Sequence, residues 1–155
     1  MLPIFEAYLK CLEVLHTDMQ RVIEGLPLAA LDWSPGPEMN SLGVLAAHVA
    51  GSERYWVGEV VGRDPANRDR PAEFRSHGLD EATLTANLAA SLAHSRATLE
   101  RLSLPEMEAQ RTLTDGREVT VAWALFHNLE HVASHLGQIQ LTRQLWDLRQ
   151  KGDTA

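Results

Sequence analysis

Apolar residues recur at steps of three and four along four long segments of the chain, a spacing that places them on one face of an α-helix. These segments are Ile4 to about Gly25, Leu42 to about Val61, Glu81 to about Leu102, and Thr120 to Trp146. Residues typical of N-caps precede the later segments, namely Asn40 or Ser41, Asp80 and Thr120. The pattern therefore predicts four amphipathic helices.

The residues between these helices predict loops and, in one place, a pair of short strands. The sequence RTLTDGREVTV has two β-prone runs on either side of Asp115-Gly116, a dipeptide that favours a tight hairpin turn. Proline and charged residues in Leu26 to Asn40 and in Arg63 to Gly78 predict irregular loops. We expect the arginines of the second loop to be solvated; binding of an anionic ligand group by one or two of them is the alternative.

Four helices and one hairpin predict an all-α fold, a four-helix bundle with a small β-hairpin before the last helix. A chain of 155 residues has the size of one domain, so we expect a single domain over residues 1–155. The hydrophobic fraction of 45% is that of a globular protein rather than a disordered one. We expect the tail from Lys151 onward to be frayed.

Charge and cysteine content restrict the class of protein. The net charge of −7 argues against a nucleic-acid-binding protein, because phosphate backbones are bound mainly by clustered Lys and Arg. The single cysteine, Cys11, excludes an intramolecular disulfide, and its helical pattern predicts a small core residue. The first residues resemble neither a signal peptide nor a membrane span. We therefore expect a cytoplasmic protein that binds neither nucleic acid nor a membrane.

The fourth helix carries a stripe of polar side chains opposite its aliphatic stripe. His127, His131, His135 and Gln138 fall within an arc of roughly 80° on a helix that turns about 100° per residue. His131 and His135 lie one turn apart, so that two neutral imidazoles can bind one divalent transition metal. A stable site needs at least a third ligand. His48, on the mixed polar face of the second helix, is the candidate for it.

A pair of histidines four residues apart does not by itself establish a metal site. The alternative is a histidine-rich helix face that is solvated or forms a dimer contact. Three imidazoles would leave one or more positions of the ion for water or substrate, which is typical of a catalytic rather than a structural site. Zn and Ni are the ions we expect first, and Fe, Co and Cu also fit imidazole ligands.

Three segments of the sequence resemble the DinB-like superfamily, which includes the YfiT-type proteins. They are residues 40–49 (NSLGVLAAHV), residues 115–120 (DGREVT) and residues 131–139 (HVASHLGQI). The resemblance spans nearly the whole chain. It implies an up-down-down-up four-helix bundle, commonly a homodimer, with one metal held by His48, His131 and His135. Many relatives carry Arg directly after the last histidine, whereas this chain has Leu136, so a role of that Arg is not expected here.

With the resemblance, two further residues of the stripe and one residue of the second helix are expected near the metal. His127, Gln138 and Tyr55 are expected to line the site or to orient a ligand or a water molecule, with ordinary helix packing as the alternative. No catalytic residue is implied for the protein itself.

For activity, the resemblance implies a metal-dependent enzyme acting on a small-molecule substrate. We expect first the transfer of a low-molecular-weight thiol to a small electrophile, because a metal-coordinated thiol is deprotonated and needs no protein nucleophile. One alternative is a hydrolase in which the metal activates water and Glu130 or Glu59 is the base. The other is a non-catalytic, metal-binding dimer with a role in a stress response.

Overall fold

The structure, a computed structural model, describes residues 1–152. The helices are α1 (Pro3–Ile23), α2 (Leu28–Leu31), α3 (Leu42–Glu53), α4 (Arg70–Glu73), α5 (Glu81–Arg101) and α6 (Val121–Gly152). A π-helix (Arg54–Val61) continues α3, a 3₁₀-helix (Leu104–Glu108) follows α5, and two strands, β1 (Gln110–Thr112) and β2 (Glu118–Thr120), precede α6. Lys151 belongs to α6, and the remainder of the tail that was expected to fray lies outside the described residues.

The four long helices form an up-down-down-up bundle. The end of α1 meets the start of α5, where the Gly25 N–H donates to Glu81 at 2.8 Å, so these helices are antiparallel. The early part of α1 meets the early part of α6, where Asn128 donates to the Tyr8 hydroxyl at 2.9 Å, so these two are parallel. The predicted fold is therefore confirmed.

The predicted helix starts and the hairpin are also confirmed. Side chains cap the N-termini of three helices: Ser41 accepts from the N–H of residue 44, Asp80 from that of residue 83, and Thr120 from that of residue 123. β1 and β2 pair in antiparallel fashion, with Arg111 opposite Val119. The hairpin packs against the start of α6 and closes one end of the bundle.

The core lies between the four helices and is built from the aliphatic stripes that the sequence predicted. On α6, the buried residues are Leu125, Val132, Leu136 and Ile139, and Leu129 is half-buried. The polar stripe of α6 is thereby directed away from the core toward α3. No helix in the described part of the chain is long and apolar enough to cross a membrane.

The second predicted helix is not a single α-helix, because α3 ends at Glu53 and continues as the π-helix. A π-helix has wider turns than an α-helix, since its hydrogen bonds join residues five apart. Gly58 allows the side chain of Arg54 to fold back over this turn; a Cβ at residue 58 would lie 2.1 Å from the guanidinium. Such local widening has no signature in the apolar spacing.

Two further expectations were wrong. Cys11 is exposed rather than buried, because the core stripe of α1 passes through Tyr8, Leu12 and His16 and leaves residue 11 on the outer face. The arginines between residues 63 and 78 are not all solvated, since Arg68 is largely buried. The loops also contain the short helices α2 and α4.

Candidate metal centre

Three imidazoles from two helices converge at the interface between α3 and α6. Nε2 of His131 lies 3.1 Å from Nε2 of His48 and 3.1 Å from Nε2 of His135. α3 and its continuation pack on α6 in antiparallel fashion, which brings the three imidazoles together. The direction follows from two contacts: His48 lies beside His135, and Trp56, later in the chain than His48, lies beside His127, earlier than His135. The three predicted ligands therefore lie in one cluster, and their donor atoms are all within 4.8 Å of one another.

The two separations between His131 Nε2 and its neighbours are those of nitrogens bound to one metal ion. Nitrogens bound to one ion at 2.0–2.1 Å are about 2.9–3.4 Å apart, for angles from 90° to tetrahedral. Without a cation, the two contacts of His131 Nε2 would need two protons between ring nitrogens, yet that atom carries only one. The neutral rings of His48 and His135 cannot supply the second, because the single proton of each is on Nδ1 and is donated elsewhere. A cation at the cluster removes this conflict.

His48 is oriented by a carboxylate that the sequence did not predict. Its Nδ1–H donates to Glu73 Oε2 at 2.9 Å, which leaves the lone pair of Nε2 directed at the cluster. Arg68 donates to both oxygens of Glu73, at 2.6 and 2.7 Å. The guanidinium also lies 3.2 Å from His48 Nδ1, but a nitrogen that already carries a proton for Glu73 cannot accept another.

The charge of Glu73 is stabilised by these partners. Burial favours the neutral acid, but the hydrogen bonds from Arg68 and His48 outweigh it and hold the pKa of Glu73 below its usual range. The carboxylate reaches His48 across the surface of α3 at Gly51, where a Cβ would lie 2.1 Å from Glu73 Oε1. Glycine at this position is therefore required for the observed position of the carboxylate.

The two imidazoles of α6 differ in their surroundings. His135 Nδ1–H donates to Gln138 Oε1 at 2.8 Å, so Gln138 contacts a candidate ligand. His131 Nδ1 is buried and has no hydrogen-bond partner among the described residues. Burial, followed by the charges of the neighbouring imidazoles, lowers the pKa of His131 to about 3, and burial also lowers the pKa of His135. Both are thereby kept in the neutral form that binds metals.

A cavity of about 650 Å³ opens beside the cluster and gives a small molecule access to it. Its wall includes His48 and His131, as well as Tyr55 and His127, which were expected to line the site. His127 lies outside the cluster: its ring stacks on Trp123 with the centroids 4.7 Å apart. The cavity is therefore mixed, with imidazoles at its base and aromatic side chains along one wall.

The two carboxylates considered as a general base differ in position. Glu59 lines the cavity, but one of its oxygens accepts from the Ala66 N–H at 2.8 Å. Glu130 has a side chain that is 78% exposed and does not line this cavity. Neither is placed against the cluster in the way that Glu73 is.

Sequence reasoning also missed Ser52. This residue lies one turn after His48 on α3, is buried, and lines the cavity. Its hydroxyl oxygen is buried and has no hydrogen-bond partner within residues 1–152. The spacing of four residues from His48 is a signal that could have identified Ser52, whereas nothing in the apolar pattern points to Glu73.

Comparisons with known proteins agree with this fold. A conserved protein from Enterococcus faecalis has a structure similar to that of this chain, with a TM-score of 0.73 and 18% identity, over 94% of this chain and 98% of that one. The mycothiol-dependent maleylpyruvate isomerase is similar with a TM-score of 0.63 and 15% identity, and a mutant of it with 0.67 and 17%. In both isomerase structures, the match covers 89% of this chain but only 61% of the other.

These identities are low enough that the likeness shows a shared fold and not a shared activity. No curated protein matches the chain. The sequence model of the DinB superfamily matches residues 12–139, which include the three clustered histidines. The chain therefore belongs to the DinB superfamily.

Proposed function

We propose that this protein is a metal-dependent enzyme that transfers a low-molecular-weight thiol to a small electrophile. The observation that carries the proposal is the convergence of three imidazole Nε2 atoms, from His48, His131 and His135, at the base of an open cavity. A divalent ion such as Zn²⁺ or Ni²⁺ held there would bind the thiol and keep it as a thiolate at neutral pH. The distant likeness to a mycothiol-dependent isomerase supports thiol chemistry as the first choice.

The residues around the cluster prepare it for this role. Glu73 and Gln138 fix the ring orientations of His48 and His135 through their Nδ1 protons, so that the Nε2 lone pairs converge. Ser52 lines the cavity, and its buried, unpartnered hydroxyl gains a hydrogen-bond partner when its side chain turns toward a polar group of the bound electrophile. The aromatic wall formed by Tyr55 and Trp56 excludes water from the apolar part of the substrate.

His127 is the residue that we propose as acceptor of the thiol proton. Its imidazole lines the cavity outside the cluster and lies between Trp123 and Trp56, with both ring centroids 4.7 Å away. Its Nδ1 lies 3.8 Å from Glu130, a carboxylate that stabilises the imidazolium once formed. The chain supplies no nucleophile in this scheme, and Cys11 is exposed on α1, away from the residues that line the cavity.

Hydrolysis is less well supported, because the cavity lacks a carboxylate directed at the cluster.

We retain the homodimer as part of the proposal. Exposed apolar side chains on α1 and α6, among them Val14, Phe126 and Leu141, are the surface expected to form it.

Metal content and turnover together test this function. We expect close to one transition metal per chain in untagged wild-type protein, and loss of the metal in His48→Ala, His131→Ala and His135→Ala. The control is His77→Ala, which should keep the metal. His77 is exposed, pairs with Asp32 and is not one of the three clustered histidines.

His127→Ala should keep the metal and the helical spectrum but lose thiol transfer to a test electrophile such as 1-chloro-2,4-dinitrobenzene. A wild type that remains metal-free after incubation with Zn²⁺ and Ni²⁺ would refute the proposal, and full metal occupancy without turnover over a panel of thiols would favour the non-catalytic dimer.

A further inference from the structure

A second pocket lies where the end of the π-helix, the end of α5 and the start of β1 meet. Its volume is about 210 Å³, and three of its lining residues are Arg63, Arg101 and Arg111. We call it the arginine pocket. None of its lining residues belongs to the histidine cluster, so it is a separate feature of the molecule.

The three arginines of this pocket have no carboxylate within 4.0 Å among the described residues. Within residues 1–152, the arginines that lie within 4.0 Å of a carboxylate are others, namely Arg21, Arg54, Arg68, Arg96, Arg117 and Arg143. Glu106 also lines the pocket, and its carboxylate accepts from the N–H and the hydroxyl of Ser103, at 2.8 and 2.6 Å. Burial and then the charge of Arg63 lower the pKa of Arg111, and the charge of Glu106 only partly opposes them. The pocket therefore keeps an excess of positive charge, with three guanidinium groups and one carboxylate in its lining.

A buried hydroxyl in the same pocket also lacks a partner. Thr98 on α5 is 3% exposed, and its Oγ1 makes no hydrogen bond to any described residue. A threonine inside a helix usually donates to the carbonyl four residues earlier, so an unpaired hydroxyl is costly here. The Thr98 side chain packs on the backbone of Gly62, where a Cβ would lie 2.8 Å from Thr98 Cγ2. The hydroxyl is thus fixed at the wall of a pocket that carries positive charge.

The end of the π-helix places Arg63 in the pocket. Arg63 has a φ of +58°, the left-handed conformation in which many helices end, and it directly follows Gly62 at the end of the π-helix. The helix thus terminates at the pocket, with Arg63 in its lining.

We propose that the arginine pocket binds a phosphate group. A phosphate dianion matches the site because several donors from different directions can bind its oxygens: three guanidinium groups and the Thr98 hydroxyl. The group comes either from free phosphate or from the phosphate end of a larger ligand. A third pocket, also of about 210 Å³, connects the two sites, because it shares Arg63 and Arg111 with the arginine pocket and Tyr55 and Glu59 with the main cavity. A larger ligand can therefore extend from the arginine pocket to the main cavity.

The test must separate phosphate binding from a purely structural role of these residues. Arg111 donates to the carbonyls of Val60 and Gln110, so its replacement could disturb the fold and is avoided. Arg63→Gln, Arg101→Gln and Thr98→Val alter the pocket without removing such bonds. Arg75→Gln is the matched control, because Arg75 is also exposed and has no carboxylate within 4.0 Å, but does not line the pocket.

Inorganic phosphate is titrated calorimetrically into metal-free protein, against sodium chloride at the same ionic strength, so the result does not depend on the metal proposal. We expect Arg63→Gln and Arg101→Gln each to weaken phosphate binding about tenfold, with no change in Arg75→Gln. Thr98→Val should raise the melting temperature without phosphate and weaken phosphate binding; a purely structural threonine would change the melting temperature alone. No phosphate binding by wild type, or equal weakening in Arg75→Gln, would overturn the proposal.

Coenzyme A, a thiol with phosphate groups, separates the two sources in a second titration with zinc-loaded protein. If the pocket holds the end of a larger ligand, coenzyme A binds more tightly than phosphate, and both Arg63→Gln and His131→Ala weaken it. If the site takes isolated phosphate groups, coenzyme A and phosphate compete with equal affinity, and His131→Ala has no effect. Failure of the metal proposal would leave the phosphate titration unchanged.

Discussion

Two buried histidines of this protein donate to glutamates, one at the cavity and one in the core. His48 donates through Nδ1 to Glu73 at 2.9 Å, and His16 donates through Nε2 to Glu53 at 2.6 Å. Glu73 is held by Arg68, whereas Glu53 is fully buried and accepts from the Ser95 hydroxyl at 2.7 Å. The free nitrogen of His48 faces other imidazoles, and that of His16 has no partner among the described residues.

The difference lies in what surrounds an otherwise similar pair. In the core, one carboxylate joins α1, α3 and α5, so the pair favours this arrangement of helices over others. At the cavity, the carboxylate comes from α4 outside the bundle, and its pair orients a ring nitrogen toward a shared point. We therefore expect the core pair to act on stability and the cavity pair to act on metal affinity.

The largest expected effect comes from breaking the core pair. His16→Ala leaves the buried Glu53 carboxylate with Ser95 alone, and removing one partner of a buried pair costs about 3–5 kcal/mol. For a chain of this length, the melting temperature should fall by roughly 10 °C, which calorimetry can measure. Metal content per folded chain should not change. A loss of metal at temperatures where the variant is folded would contradict the separation of roles.

A triple variant sharpens this result. In His16→Leu combined with Glu53→Met and Ser95→Ala, all three members of the buried polar group are replaced together, so the loss of unfolding free energy should be much smaller than in His16→Ala. Equal losses in the two variants would show that helix packing around residue 16, and not the pair, carries the stability.

The cavity pair should behave in the opposite way. Glu73→Gln keeps the size of the side chain but removes the charge that orients His48, and such changes typically weaken metal binding about 10–100-fold. Stability should change little, since Glu73 lies on the short helix α4 at the edge of the bundle. Competition with a chelator of known affinity measures the effect. Unchanged zinc affinity in this variant would remove Glu73 from the site.

Gly51→Ala tests the same pair through the backbone. The new Cβ would lie 2.1 Å from Glu73 Oε1. Because Oε1 is at the end of a flexible side chain, we expect the carboxylate to move away from His48 and α3 to stay folded. We expect a loss of metal affinity no larger than that of Glu73→Gln. Gly137→Ala is the control: nothing lies within 4 Å of the new Cβ, so it should raise helix stability by about 0.5–1 kcal/mol and leave metal affinity unchanged.

The parts of the site that were predictable from the sequence are those that follow helical periodicity. His131, His135 and Gln138 share one face of α6, and His48 lies on a face of α3 that is polar in the sequence. Glu73 could not be predicted, because its partner His48 lies 25 positions earlier in the chain. Arg68 is near Glu73 in the sequence, but only the tertiary fold brings α4 against Gly51 and His48.

The fold, like the site, was predictable from the sequence where it follows helical periodicity. Apolar stripes and caps determine where the four helices begin and how they pack, and these expectations are confirmed. The spacing could not show that a charged residue, Glu53, lies in the core, because a buried partner such as His16 comes from another helix. Cys11 was placed wrongly for a related reason: an apolar residue beside the core stripe of α1 looks the same in the sequence as one within it.

The smallest effect is expected for a third buried pair, Tyr8 and Asn128, which joins α1 to α6. Burial raises the pKa of Tyr8, and the hydrogen bond from Asn128 only partly opposes this rise. The folded protein therefore keeps the phenol neutral at a pH where the unfolded chain ionises it. The stability that depends on neutral Tyr8 is therefore complete below pH 10.0, the ordinary pKa, and is lost as the pH rises above it. Tyr8→Phe should cost about 1 kcal/mol at neutral pH through the lost hydrogen bond, and this difference from wild type should shrink in urea unfolding above pH 10.0. Because Asn128 faces the core and not the histidine cluster, the zinc affinity of Tyr8→Phe should equal that of the wild type. A weaker zinc affinity in Tyr8→Phe would mean that the core pairs and the cavity pair are coupled through α6.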